Sequence, residues 1–173
     1  MLHFTVNWLA GTPSFATPYA LAALGLIISE RAGVLSLGAE GFMLVGALAG
    51  VATSLELGGY PGIALLAAML AAAVVSLLFA FLVVFLRVNQ VIAGLAVVFF
   101  CQGLTSLVGT LGGWTNRAIT GLHGVAVWPL SDIPVIGKIL FTQDVVVYLT
   151  IPIFFFVNYI LTRSMLGLRL RSV

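Results

Sequence analysis

The stretch GIALLAAMLAAAVVSLLFAFLVVFL, Gly62 to Leu86, holds a single hydroxyl and no charge, and it stops at Arg87. It exceeds the roughly 20 apolar residues that a helix needs to cross a bilayer. Its alanines and leucines favour helix, and the run is continuous where a barrel strand would alternate. The whole chain has this character. Of 173 residues, 62% are hydrophobic and 7% charged, with a mean hydropathy of +1.24. Soluble domains carry about 25% charged residues. Seven Lys/Arg and five Asp/Glu cannot coat a soluble domain of this size. The composition excludes a water-soluble enzyme and a disordered tail. The net charge of +2, with no clustered basic face, gives no sign of a nucleic-acid partner.

Other runs of the same kind lie on either side. The first extends from about Pro13 to Ser29 and stops at Glu30-Arg31. The second, Gly33 to Leu55, stops at Glu56, Gly58, Gly59, Tyr60 and Pro61. The fourth begins at Val88 and fades near Gly112-Gly113, and the fifth is Val145 to Leu161, closed by Arg163. The expected fold is an all-α polytopic transmembrane helix bundle with about five spanning helices, one domain over residues 1–173. The second run, unusually rich in glycine, reads either as a span or as a broken, re-entrant element. An outer loop is expected over about residues 112–143. It contains Trp114, Trp128 and an apolar piece, Ile133 to Phe141, that suits a short interfacial helix. No internal repeat is evident.

Basic residues favour the cytoplasmic side. The cluster Arg163, Arg169 and Arg171 places the end of the fifth run there, and alternation brings Arg31 and Arg87 to the same side. Arg117 and Lys138 fall outside. The expected topology is multi-pass in the cytoplasmic membrane, N-terminus out and C-terminus in. No Lys or Arg precedes Arg31, so no basic leader region marks a cleavable signal peptide.

Glu40 is the outlier within the hydrophobic runs. A charge near a helix centre costs about 3 kcal/mol on insertion scales. Glu40 either lines a solute path or gate, touches a partner subunit, or serves structurally near a helix end. Gly46 and Gly50 form a GxxxG pair, and Ala64, Ala68 and Ala72 form a second small-residue stripe. Both suit close helix packing. Asn89-Gln90 opens the fourth run, and Gln102, Ser106 and Gly109 recur along it at helical spacing beside Thr105. Such amides and hydroxyls either bind a neutral polar solute or hydrogen-bond between helices. Cys101 reads as a small packed hydrophobe. His3 and His123 lack metal-ligand spacing. No phosphate-cradling G-x-x-x-x-G-K-[ST] motif occurs, and no catalytic constellation can be defended. No cofactor is implied.

With these residues stated, a family resemblance emerges. Thr17-Pro18-Tyr19-Ala20-Leu21-Ala22-Ala23-Leu24-Gly25, the block Ser29-Glu30-Arg31-Ala32-Gly33-Val34-Leu35-Ser36-Leu37-Gly38-Ala39-Glu40-Gly41-Phe42-Met43, and Leu86-Arg87-Val88-Asn89-Gln90-Val91-Ile92-Ala93-Gly94 resemble permease subunits of bacterial ABC importers. The group is that of branched-chain amino acid, simple sugar and nucleoside permeases. The resemblance is greatest to the nucleoside branch, which works with basic-membrane-lipoprotein-type binding proteins. Ser36 stands where that family usually has Asn. The ending Gly167-Leu168-Arg169-Leu170-Arg171 resembles the approach to the loop that couples to the ATPase, so the resemblance gives Arg169 and Arg171 that place.

The implied activity is ATP-driven import of a small polar solute by alternating access, with nucleoside favoured over simple sugar or branched-chain amino acid. The implied partners are ATP-binding cassette subunits that hydrolyse the ATP, a second permease subunit and an extracytoplasmic solute-binding lipoprotein. The resemblance also implies that the chain corresponds to about half of a family member. An ion-coupled secondary carrier, an oligomeric pore and an inactive truncated permease fragment are the alternatives. The residues open to a solute-pathway role are Glu40, Asn89, Gln90, Gln102 and Ser106.

Overall fold

The computed structural model describes residues 2–114, 117, 124, 142–165 and 167, with side chains from Trp8 onward. The expected short helix at Ile133 to Phe141 and most of the expected outer loop fall outside the described residues. Among the described residues there are five long helices: α1 (Leu2–Arg31), α2 (Ala39–Glu56), α3 (Pro61–Ala80), α4 (Gln90–Leu111) and α5 (Val145–Arg163). All five are long and apolar enough to cross a membrane. They agree with the five hydrophobic runs, with two differences at the starts. The second run begins at Gly33, whereas α2 begins at Ala39, after an irregular segment. The first run begins at Pro13, whereas α1 begins at Leu2 and continues through Pro13 and Pro18. A proline inside a helix removes the donor to the carbonyl four residues earlier, Leu9 for Pro13 and Ser14 for Pro18. One turn beyond Pro13, Thr17 Oγ1 donates to the Pro13 carbonyl at 2.8 Å, the local back-bond of a helical threonine.

The chain forms two compact units, Met1–Gly33 with Leu122–Val173, and Val34–Gly121. In the first, α1 packs on α5. Just before α5, Gln143 reaches Ala10 and Ser14. Farther along both helices, Ala16, Thr17 and Ala20 share one apolar groove with Ile151, Phe154 and Phe155. The two helices therefore run parallel. The 18 residues of α2 extend about 27 Å at 1.5 Å per residue, close to the hydrocarbon thickness of about 30 Å.

The second unit is built on glycine contacts. On α2, a β-carbon at Gly46 would stand 3.2 Å from the Ala68 carbonyl oxygen and 3.5 Å from Ala72 Cβ. One at Gly50 would stand 3.5 Å from both the Ala64 carbonyl oxygen and Ala68 Cβ. The GxxxG pair thus packs on the alanine stripe of α3, and the helices run antiparallel. On the other side of α2, a β-carbon at Gly41 would lie 3.2 Å from Val98 Cα and 3.3 Å from Cys101 Sγ, while Leu48 lies over Gly109. This makes α2 and α4 parallel. Phe79, Val83, Ala93, Val97 and Cys101 are the buried cluster of this unit, with Phe42 edge-on to Phe79 at 6.0 Å between ring centroids. The remaining surface of α3, including Leu66, Leu70, Val74 and Leu77, is exposed and apolar, as a lipid-facing surface must be.

The helix ends explain the turns. After α2, Gly58 (φ 73°) lets the Gly59 N–H reach the Ser54 carbonyl at 2.9 Å. This is a Schellman closure, and Pro61 then supplies a favourable first residue for α3. α4 ends the same way at Gly113 (φ 62°), with the Trp114 N–H on the Gly109 carbonyl at 3.1 Å. The end of α3 is different. A π-helical turn, Phe81–Phe85, widens the last turn, and the Val88 N–H reaches back six residues to the Leu82 carbonyl. The left-handed position there is taken by Arg87 (φ 51°), a non-glycine conformation that costs about 1–2 kcal/mol.

Candidate functional site

The polar residues singled out from the sequence separate into two places in the second unit. Three lie at one end, where α2 and α4 begin. Asn89 is the N-cap of α4, its Oδ1 accepting from the Val91 N–H at 3.0 Å. Capping of this kind is worth about 1 kcal/mol. The Gln90 Oε1 accepts from the Leu35 N–H at 2.7 Å. It ties the irregular segment between α1 and α2 across the start of α4. One turn later Gly94 admits that segment, because a β-carbon there would lie 2.9 Å from Leu37 Cβ. Glu40 stands exposed in the first turn of α2, where a carboxylate complements the positive end of the helix dipole. Asn89 and Gln90 thus have defined structural bonds, and Glu40 sits at a helix end.

Gln102 and Ser106 are elsewhere. Twelve residues separate Gln90 from Gln102, about 18 Å of helix. Both side chains are exposed on the face opposite the buried Val97. Gly109, read from the sequence as part of the same stripe, belongs instead to the packed face under Leu48. Thr110 takes its place, one turn beyond Ser106. The threonines and the stripe's other polar groups behave differently. Thr105 Oγ1 donates to the Cys101 carbonyl at 2.8 Å, and Thr110 Oγ1 to the Ser106 carbonyl at 2.6 Å. The Gln102 amide and the Ser106 hydroxyl have no side-chain hydrogen bond among the described residues. An uncommitted amide in a helix that crosses a bilayer is costly against lipid and belongs against water or protein. Cys101, one residue away, is fully buried and packs as an inert small group. Arg169 and Arg171 lie outside the described residues.

In the first unit one polar residue carries more than the sequence revealed. Gln143 is 3% exposed. Its Nε2 donates to the Ala10 carbonyl at 2.7 Å, its Oε1 accepts from Ser14 Oγ at 2.9 Å, and its N–H donates to the Tyr148 hydroxyl at 3.2 Å. Asp144 beside it pairs with Gly124. Gln143 therefore anchors the approach to α5 on α1, at the turn where Pro13 has removed a donor.

Residues 9–173 match the family described as branched-chain amino acid transport system, permease component. TsgC13 of Haloferax volcanii, provisionally named a glucose ABC transporter permease protein, is 38% identical over 183 residues, covering 99% of this chain and 53% of its own. The guanosine ABC transporter permease protein NupQ of Bacillus subtilis is 37% identical over 171 residues, covering 92% of this chain and 53% of its own. The nucleoside ABC transporter permease protein NupC of Lactococcus lactis is 33% identical over 178 residues, with the same two coverages of 92% and 53%. The chain spans about half the length of the curated relatives it matches. No solved structure matches it.

Proposed function

We propose, from the premise that this chain belongs to the branched-chain amino acid transport system permease component family, that it forms part of the membrane pathway of an ATP-driven importer of nucleosides. It is a multi-pass membrane protein and a transport component. The energy comes from ATP-binding subunits on the cytoplasmic side, an extracytoplasmic binding protein delivers the solute, and a second permease subunit completes the passage. The N-terminus lies outside and the C-terminus inside, since that topology keeps Arg31, Arg87 and Arg163 in the cytoplasm. Glu40, Asn89 and Gln90 then stand at the inner mouth, and Gln102 and Ser106 line the passage in its outer half. Arg169 and Arg171 approach the ATPase.

The observation that carries the pathway assignment is the uncommitted amide and hydroxyl on the exposed face of α4. A nucleoside is favoured by two of the relatives' names. The glucose name of another favours a simple sugar as the second reading. The test is uptake of labelled guanosine by cells that express the full-length permease with its ATP-binding and binding-protein partners. Uptake is expected to stop when ATP is depleted and to persist when ionophores collapse the ion gradients. Uptake that follows the ion gradient with ATP intact would identify a secondary carrier and refute the proposal.

A further inference from the structure

The exposed stripe of α4 has a third member. Phe99, Gln102 and Ser106 follow at i, i+3 and i+7, on one face of the helix, and together they cover about 10 Å of its axis. Phe99 is 69% exposed. An exposed phenylalanine alone reads as lipid contact. This one shares its stripe with an amide that lipid would not tolerate, so the aromatic ring meets the same surroundings as the amide.

The chemistry of the three groups is selective. α4 carries no Lys, Arg, Asp or Glu, so the stripe offers nothing to a phosphate or to the two charges of an amino acid. It suits a neutral solute. A sugar can lay its C–H face on the ring, but it has no flat π-face to stack and no planar acceptor–donor edge for the amide. A purine presents a flat face for stacking and, on its edge, an acceptor beside a donor, which a glutamine amide pairs in a bidentate manner. We propose that Phe99, Gln102 and Ser106 form a nucleobase-reading subsite: the base stacks on Phe99, its edge pairs with the Gln102 amide, and the ribose hydroxyls meet Ser106 Oγ. This rests on the pathway reading above and narrows it to purine nucleosides, with Phe99 and Gln102 as specificity-determining residues.

The test uses the assembled transporter carrying Cys101→Ala, so that Gly103→Cys, one turn beyond Phe99 with nothing within 4 Å of its would-be β-carbon and no part in the subsite, supplies a reporter thiol beside the stripe. Labelling by a water-soluble thiol reagent is expected, and guanosine is expected to protect while glucose does not. Phe99→Leu and Gln102→Leu should each raise the half-protecting guanosine concentration about tenfold, within the range of a lost base–aromatic stack or base-edge pair. Phe99→Tyr, which keeps the ring, should restore the original value. Protection by glucose alone, or guanosine protection unchanged in Phe99→Leu, overturns the subsite and leaves the pathway assignment standing. A thiol at Gly103→Cys that the reagent never reaches overturns both. Loss of ATP-driven uptake for every solute in the unsubstituted transporter counts against the importer reading itself.

Discussion

Gly94→Val is expected to destabilise the helical unit of α2, α3 and α4 severely, and Gly94→Ala to do so measurably. Two opposing effects act at this position. Alanine is about 1 kcal/mol better than glycine inside a helix. Against this, the new β-carbon would stand 2.9 Å from Leu37 Cβ and 3.3 Å from both the Gly38 nitrogen and the Leu37 carbonyl carbon. Two of those three atoms are backbone, and the segment carrying them is held down by the Gln90–Leu35 bond. It cannot yield without breaking that bond, so overpacking of about 1–3 kcal/mol prevails for alanine, and valine costs more. Gly103 on the same helix is the control. Nothing lies within 4 Å of its would-be β-carbon, so Gly103→Ala should be neutral or stabilising. Melting of the purified protein in detergent reads both. Gly94→Ala melting at or above Gly103→Ala would show that the segment does not seat where it is described.

Gln143→Leu is expected to cost about 1–3 kcal/mol, the penalty for leaving buried polar groups without partners. Leucine fills similar space, so packing is roughly conserved. What is lost is the acceptor for Ser14 Oγ and the donor to the Ala10 carbonyl. Gln143→Glu should not rescue, because a carboxylate cannot donate to Ala10 and a buried charge adds its own penalty. Ser14→Ala should cost less than Gln143→Leu, since the bond from Nε2 to Ala10 survives. The double variant should fall short of the sum of the two by at least about 0.5 kcal/mol. Strict additivity in denaturation of the detergent-solubilised protein would mean that the two side chains do not interact.

The contrast between these residues shows what the sequence makes legible. The five helices are readable because each is a long apolar run closed by charge, glycine or proline. Gly46-Gly50 and Ala64-Ala68-Ala72 are likewise readable as packing surfaces, and the structure sets one against the other. Asn89 is an N-cap in front of an apolar run, a local signal. Gln90, Gly94 and Gln143 were less accessible. The partner of Gln90 is 55 residues away, and those of Gln143 are 129 and 133 residues away, so no local pattern marks them. Gly109 was placed on the polar stripe by helical spacing, yet α4 turns it toward Leu48. Period alone cannot say which edge of a stripe a neighbouring helix will cover. The start of α1 was hidden for another reason. Pro13 reads as a boundary by propensity, and a long-range bond from Gln143 Nε2 to the Ala10 carbonyl holds the helix together at this turn.

The account depends on α2, α3 and α4 each crossing the membrane, with the start of α2 in the cytoplasm. Single cysteines at Leu35, Leu57, Val88 and Met165, introduced with Cys101→Ala, test this directly by labelling with a membrane-impermeant maleimide before and after cells are opened. Leu57→Cys should label in intact cells, and the other three only after permeabilisation. If positions 35 and 57 label from the same side, α2 does not cross and the passage described for α4 has no wall.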